Sequence, residues 1–223
     1  MKKVFLALIF AATSMVAFAQ KPASGDHSFS FGVTGLSNLG VAAPHFTGTL
    51  LFRHYISDNM AARVGLNLST TSNKYSAMND SIKFNSSSTS WAISLGVQHD
   101  FTGTEKLEPY IGVDLVLGGG SSKGDSTWMT GLGTTADTYK GGSTFRFGLV
   151  PCVGFNYYFT DWFAIGAEFG YGFTSTSTGE GTYTSSFTSG STTTTISSKT
   201  GKSGTSGLGT IGSGMVTVTV AFH

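Results

Sequence analysis

Trp91-Ala92-Ile93-Ser94-Leu95-Gly96-Val97-Gln98 decides the fold of this chain. Large apolar side chains take every second position, and Ala, Ser, Gly and Gln take the positions between them. Successive side chains of a β-strand point to opposite faces, so this segment reads as a strand with one apolar face and one small, polar face. The pattern returns at Phe29, Phe31 and Val33, at Phe163, Ile165, Ala167, Phe169 and Tyr171, and at Val216, Val218 and Val220. A soluble sandwich would show the same alternation with its apolar face turned inward. An export leader, an asymmetry of loop lengths and a glycine-rich inner face favour the opposite: a barrel whose apolar face meets lipid.

The leader is residues 1–19. Lys2 and Lys3 give a positive start, Val4 to Ala12 an apolar stretch, and Ala17-Phe18-Ala19 a small-x-small cleavage site before Gln20. The apolar stretch is shorter than the ~20 residues that span a bilayer as a helix, so a removed signal peptide is expected. Loss of the two lysines would leave eleven basic against twelve acidic residues, which argues against a nucleic-acid partner. Only 11% of residues are charged, with 31 Gly and 18 Phe among the rest, where soluble domains carry ~25% charge. Cys152 is the single cysteine, so an internal disulfide is excluded. After Gln20 no run of ~18 apolar residues occurs, and the remaining solution is all-β.

Residues 20–25 form a short periplasmic segment, and residues 26–223 the barrel. Eight strands are expected: Asp26 to Gly35, His45 to Ile56, Met60 to Thr70, Thr89 to Phe101, Glu108 to Gly118, Ser143 to Phe159, Trp162 to Phe173 and Gly207 to Phe222. Turns after the second, fourth and sixth are short, whereas the links after the first, third, fifth and seventh have about 9, 18, 24 and 33 residues. Outer-membrane barrels show this asymmetry, and it places both termini in the periplasm. Tyr55, Phe101, Tyr110, Tyr157, Phe159 and Trp162 are expected in a periplasmic aromatic girdle, and Phe46, Trp91, Phe145 and Phe173 in an outer one.

The hairpin Phe155-Asn156-Tyr157-Tyr158-Phe159-Thr160-Asp161-Trp162-Phe163-Ala164-Ile165-Gly166 and the terminal Val216-Thr217-Val218-Thr219-Val220-Ala221-Phe222 carry a family resemblance. With them the chain resembles the OmpA/OmpX-type family of small eight-stranded outer-membrane barrels, over about Asp26 to His223. In that family a final aromatic residue is read by the barrel-insertion machinery; here Phe222 is followed by His223. The alternative is ten strands, with Thr182 to Thr188 and Ser191 to Ser198 added to the wall. Those arms carry only Tyr183, Phe187 and Ile196 as large apolar residues, so they read instead as a Thr-rich hairpin above the membrane.

Strand parity points Arg53, Arg63, Asp114, Arg146 and Glu168 into the lumen, away from lipid. A three-residue turn at Ser57 to Asn59 would set Arg53 opposite Arg63, so both need carboxylates; Asp100, Glu108, Asp114 and Glu168 are the candidates. A filled lumen of ion pairs is expected in so narrow a barrel, rather than a gate or proton path. His27, His54 and His223 share the periplasmic end, where rim histidines are ordinarily solvated, and no metal or cofactor is expected. Gly207-Leu208-Gly209-Thr210-Ile211-Gly212 matches G-x-G-x-x-G but opens a strand, so it reads as wall geometry and not as a nucleotide site. Pro151 implies a bulge in the sixth strand.

The expectation is a non-enzymatic outer-membrane protein of a Gram-negative envelope, with a structural or adhesion-type role through four outer loops. Tyr75, Phe84, Trp128, Tyr139, Tyr183 and Phe187 are the aromatic loop residues placed to contact an extracellular ligand. The alternatives are a lipid-modifying enzyme, for which His45 is the candidate base, and a narrow pore. The expected partners are outer-membrane lipid, lipopolysaccharide and the insertion machinery, for a monomer.

Overall fold

Thr, Val, Phe and Tyr suit a pleated surface, and wherever they alternate with small residues the chain forms strands. A computed structural model describes residues 21–34, 47–77, 81–210 and 214–222. It contains β1 (His27–Thr34), β2 (Thr47–Ser57), β3 (Met60–Ala77), β4 (Ile82–Asp100), β5 (Leu107–Thr130) and β6 (Gly133–Lys140). Then follow β7 (Thr144–Tyr158), β8 (Phe163–Thr178), β9 (Gly181–Ser189), β10 (Thr192–Thr200), β11 (Ser203–Thr210) and β12 (Met215–Phe222). The leader, His45, Phe46, Ile211, Gly212 and His223 lie outside the described residues.

All pairings are antiparallel, and they form one sheet. From β1 the ladder passes through β2, β3, β4, β5, β7, β8 and β12 and returns to β1. The count of twelve strands, where eight were expected, comes from interruptions. β6 and β7 pair with successive parts of β5, and β11 and β12 with successive parts of β8. Gly141, Gly142 and Ser143 separate β6 from β7, and Gly179 and Glu180 separate β8 from β9. A Cβ on Gly142 would run into the Gly179 carbonyl, so the two breaks touch backbone to backbone, where only glycine fits.

The long links after the third, fifth and seventh expected strands are therefore largely sheet. β3 and β4 stay paired out to Ala77 and Ile82, and β4 and β5 out to Ile82 and Trp128. The Thr-rich arms β9 and β10 form a hairpin about Gly190, whose φ of 59° favours glycine. This hairpin is not a free ribbon, because β9 also pairs with β6. A two-stranded hairpin is marginal alone, and a third strand steadies it. β9 and β10 lie off the closed path.

Three local expectations need correction. Pro151 causes no bulge: the ladder between β7 and β8 skips from Leu149–Phe173 to Cys152–Gly170 with its register unchanged. The turn at Asp58 and Asn59 has two residues, and the extra residue is a bulge at Ile56, which still sets Arg53 opposite Arg63. Side chains then sort by parity. Phe29, Phe31, Leu66, Leu68, Leu95, Val153, Phe169 and Val218 lie exposed on the outside. Trp91, Phe145 and Phe173 are exposed near one end of this belt, and Phe101, Tyr157, Phe159 and Trp162 near the other. Tyr55 and Tyr110 do not join that girdle; they share parity with Arg53 and Asp114 and are buried in the lumen.

Small residues on the inner face make room for these large ones. A Cβ on Gly154 would come within 2.5 Å of the Tyr110 ring. Gly154→Val should therefore cost about 1–3 kcal/mol by overpacking. Phe155→Leu, one residue along on the apolar outside, should cost less, as read from denaturant midpoints in detergent. Equal losses would refute the parity assigned to β7.

Candidate functional site

Two groups of residues on the inner face stand out, one within the belt and one beyond it. Within the belt, β2 and β3 bring Arg53 and Arg63 side by side, both buried. The Arg63 guanidinium is held on three sides. Its Nη2 donates to both Glu168 oxygens at 2.8 Å, its Nε lies 3.0 Å from Asp114 Oδ1, and its Nη1 lies 3.4 Å from Cys152 Sγ. Asp114, Cys152 and Glu168 have the spacing of a metal-ligand set, but their ligand atoms converge on this guanidinium.

Arg53 is served differently. The carboxylate expected for it is replaced by Gln98 Oε1, which accepts from Arg53 Nε at 3.0 Å and from Arg63 Nη1 at 3.4 Å. Arg53 Nη1 also donates to Ser30 Oγ, and the guanidinium lies 5.6 Å from the centre of the Tyr110 ring. Gln98 Nε2 donates to Asp100, so an amide stands between that acid and Arg53 in the hydrogen-bond chain. Glu108 instead accepts from Asn156 Nδ2 at 2.9 Å and from the Tyr158 hydroxyl at 3.2 Å. Arg146 points into the lumen but is exposed, and among the described residues it makes no ion pair. It lines a cavity of about 310 Å³ together with Asn67, Asp114 and Glu168. Arg53, Tyr55, Tyr110 and Tyr158, also of inward parity, are each at most 2% exposed.

Beyond the belt the inner face changes character. Tyr75, Phe84, Ser126, Asp137 and Ser185 lie in one cross-strand row, so their side chains share a face. Trp128, Tyr139, Tyr183 and Phe187 are two residues removed from members of that row and share the face too. It is the lumenal parity of β3, β4 and β5 carried upward. The structure thus places all six aromatic loop residues on the inner face of one extended sheet. Phe84, Trp128, Tyr139, Tyr183 and Asp137 line a cleft of about 570 Å³. Sequence reasoning missed Asp137, because a Thr-rich link shows no parity until its partner strand is known. It also missed Gln98, although its place between Val97 and His99 already turns it inward.

At the opposite end the His27 and His54 rings stack, with Nδ1 atoms 3.3 Å apart; His223 lies outside the described residues. So does His45, and with it the candidate base of a lipid-modifying site.

No family model and no curated protein matches the chain. Among solved structures it is similar to small outer-membrane barrels. Ail, the attachment invasion locus protein of Yersinia pestis, is 14% identical, with 89% of this chain and 99% of that chain covered and a TM-score of 0.38. The N-terminal β-barrel domain of Pseudomonas aeruginosa OprF is 12% identical, with 90% and 100% covered and a TM-score of 0.35. CarO of Acinetobacter baumannii is 11% identical, with 89% and 97% covered and a TM-score of 0.37. The class itself rests on this chain's own wall. A ladder that returns to its first strand, apolar outside and polar inside, is a transmembrane β-barrel of the outer-membrane type.

Glu168→Leu should destabilise the barrel by about 3 kcal/mol, the low end for breaking a buried pair, because Asp114 still faces Arg63. Phe169→Leu, turned outward, should be milder. Comparable denaturant midpoints for the two variants would overturn this account of the lumen.

Proposed function

We propose that the eight-stranded closed path crosses the outer membrane with both termini in the periplasm. The protein is then a non-enzymatic envelope component that offers its outer sheet as a binding surface. The observation that carries this reading is the reversal of polarity beyond the belt. Inside the belt the outward face is apolar and the inner face small, polar and charged. Beyond it the outward face carries Ser72, Lys74, Asn85, Lys123, Lys140 and Thr182, and the inner face carries the aromatic residues. Aromatic side chains have no packing role where no core exists, and half-exposed rings gathered on one face suit a ligand.

The burial of four large inward side chains, Arg53, Tyr55, Tyr110 and Tyr158, supports a plugged lumen over a pore. Lys123 stands opposite Lys140 on the outward face, and Lys199, which already faces Glu180 at 3.6 Å, follows across Thr182. Like charges placed opposite each other are unfavourable alone and suit an anionic neighbour. This supports contact with lipopolysaccharide phosphate just above the belt.

Cysteine labelling and planar-bilayer recordings test the reading. In a Cys152→Ser background, Ser189→Cys should react with impermeant maleimide on intact cells, and Asp161→Cys only after the outer membrane is breached. Reversed labelling would invert the topology, and a steady single-channel current would replace the plug with a pore.

A further inference from the structure

Asp137 is the unusual member of the aromatic cleft. It is only 8% exposed, although the rings around it are about half exposed, Trp128 and Tyr139 at 41% and Tyr183 at 38%. Its Oδ1 is buried and has no hydrogen-bond partner. On the sheet it faces Ser126 and Ser185, with Trp128 and Gly124 on β5, Thr135 and Tyr139 on β6, and Tyr183 and Phe187 on β9 as diagonal neighbours. Among the described residues, no Lys or Arg has inward parity on this outer sheet; Lys123 borders the cleft, but it, Lys140 and Lys199 all have outward parity. A buried carboxylate without a counter-charge is costly, and a structural role gives no return for it.

The rings themselves leave room. Among the described residues, none of Phe84, Trp128, Tyr139 and Tyr183 stacks on another aromatic ring. They surround a cleft of about 570 Å³, a volume typical of small-molecule sites. Ring faces carry negative potential and attract cations, most strongly those with methylated nitrogen, which sheds water easily.

We propose that this cleft binds a soluble organic cation, an alkylated ammonium group seated among Phe84, Trp128, Tyr139 and Tyr183 with Asp137 as its counter-ion. The ligand comes from solution and not from the bilayer, because the cleft lies on the lumenal side of the sheet, beyond the apolar belt. A sugar would also stack on such rings and bond to the Ser and Thr hydroxyls of the lining, but it brings no charge to offset that of Asp137, the one charged residue of the lining with inward parity. The proposal rests on the surface-binding reading and adds its ligand class.

The test uses the full mature chain in a polyoxyethylene detergent, which carries neither a choline headgroup nor a sugar. Calorimetric titration compares choline and tetramethylammonium with 3,3-dimethylbutan-1-ol, the uncharged isostere of choline, and with glucose. Both cations should bind, and the uncharged isostere should bind at least about tenfold more weakly. Asp137→Asn and Trp128→Leu should each lower cation affinity by about tenfold or more while the heat-dependent gel shift of the folded barrel persists. Tyr171→Leu, on the apolar belt, should leave affinity unchanged. Equal binding of the isostere, binding of glucose alone, or cation binding that survives Asp137→Asn would overturn the proposal. So would silence toward both cations in protein that is folded and labelled at Ser189→Cys on intact cells, and the surface-binding reading would then stand without this ligand. Failure of that labelling would instead remove the surface reading.

Discussion

Inside hydrocarbon there is no water to satisfy a backbone N–H or C=O, and each such group left alone costs several kcal/mol. A sheet meets this demand only when its last strand pairs with its first. Here Phe29 stands opposite both Val220 and Phe52, so β1 has no free edge. Closure then fixes the rest. It forces one face outward and one inward along every strand, and so sorts apolar from polar residues. The three described breaks in the strands, at 141–143, 179–180 and 201–202, all fall beyond the apolar belt, where water can reach the freed backbone groups. Pro151 is the exception within the wall. There the ladder skips two pairs and keeps its register, which costs less than turning Val153 and Phe155 inward.

The narrow lumen follows from the small number of strands in the closed path, and it must be filled. It is filled with two arginines at one level, a poor arrangement until Gln98 is considered. A carboxylate between them would attract both but would itself need burial. The neutral amide oxygen accepts from each and adds no charge, while Glu168 and Asp114 make their ion pairs with Arg63. The Tyr110 ring beneath Arg53 has the same merit: it answers a cation without being an ion. Glycines at 96 and 154 leave space for Asp114 and Tyr110.

Beyond the belt the same strands meet water on both sides, and the reason for an apolar outside disappears. The outward face becomes Ser, Thr, Asn and Lys. The inner face could have done likewise, since it is wet as well. That it gathers aromatic rings about one buried acid is a departure from what the fold requires.

The sequence alone determined the class of fold, because period-two alternation is a local property: Trp91 to Gln98 shows both faces without reference to any partner. Parity likewise turned Arg53, Arg63, Asp114 and Glu168 inward from strand patterns alone. Tyr55 and Tyr110 could have been assigned by the same parity; composition misled, because tyrosine also suits a membrane interface. Only the tertiary structure could decide which inward groups meet, since Gln98 and Arg53 are joined through two strand registers and a bulge at Ile56. The outer cleft was beyond reach for the same reason. In Ser- and Thr-rich stretches both faces look alike in sequence, and the face to which Asp137 belongs is settled by long-range hydrogen bonds from β6 to β5 and β9.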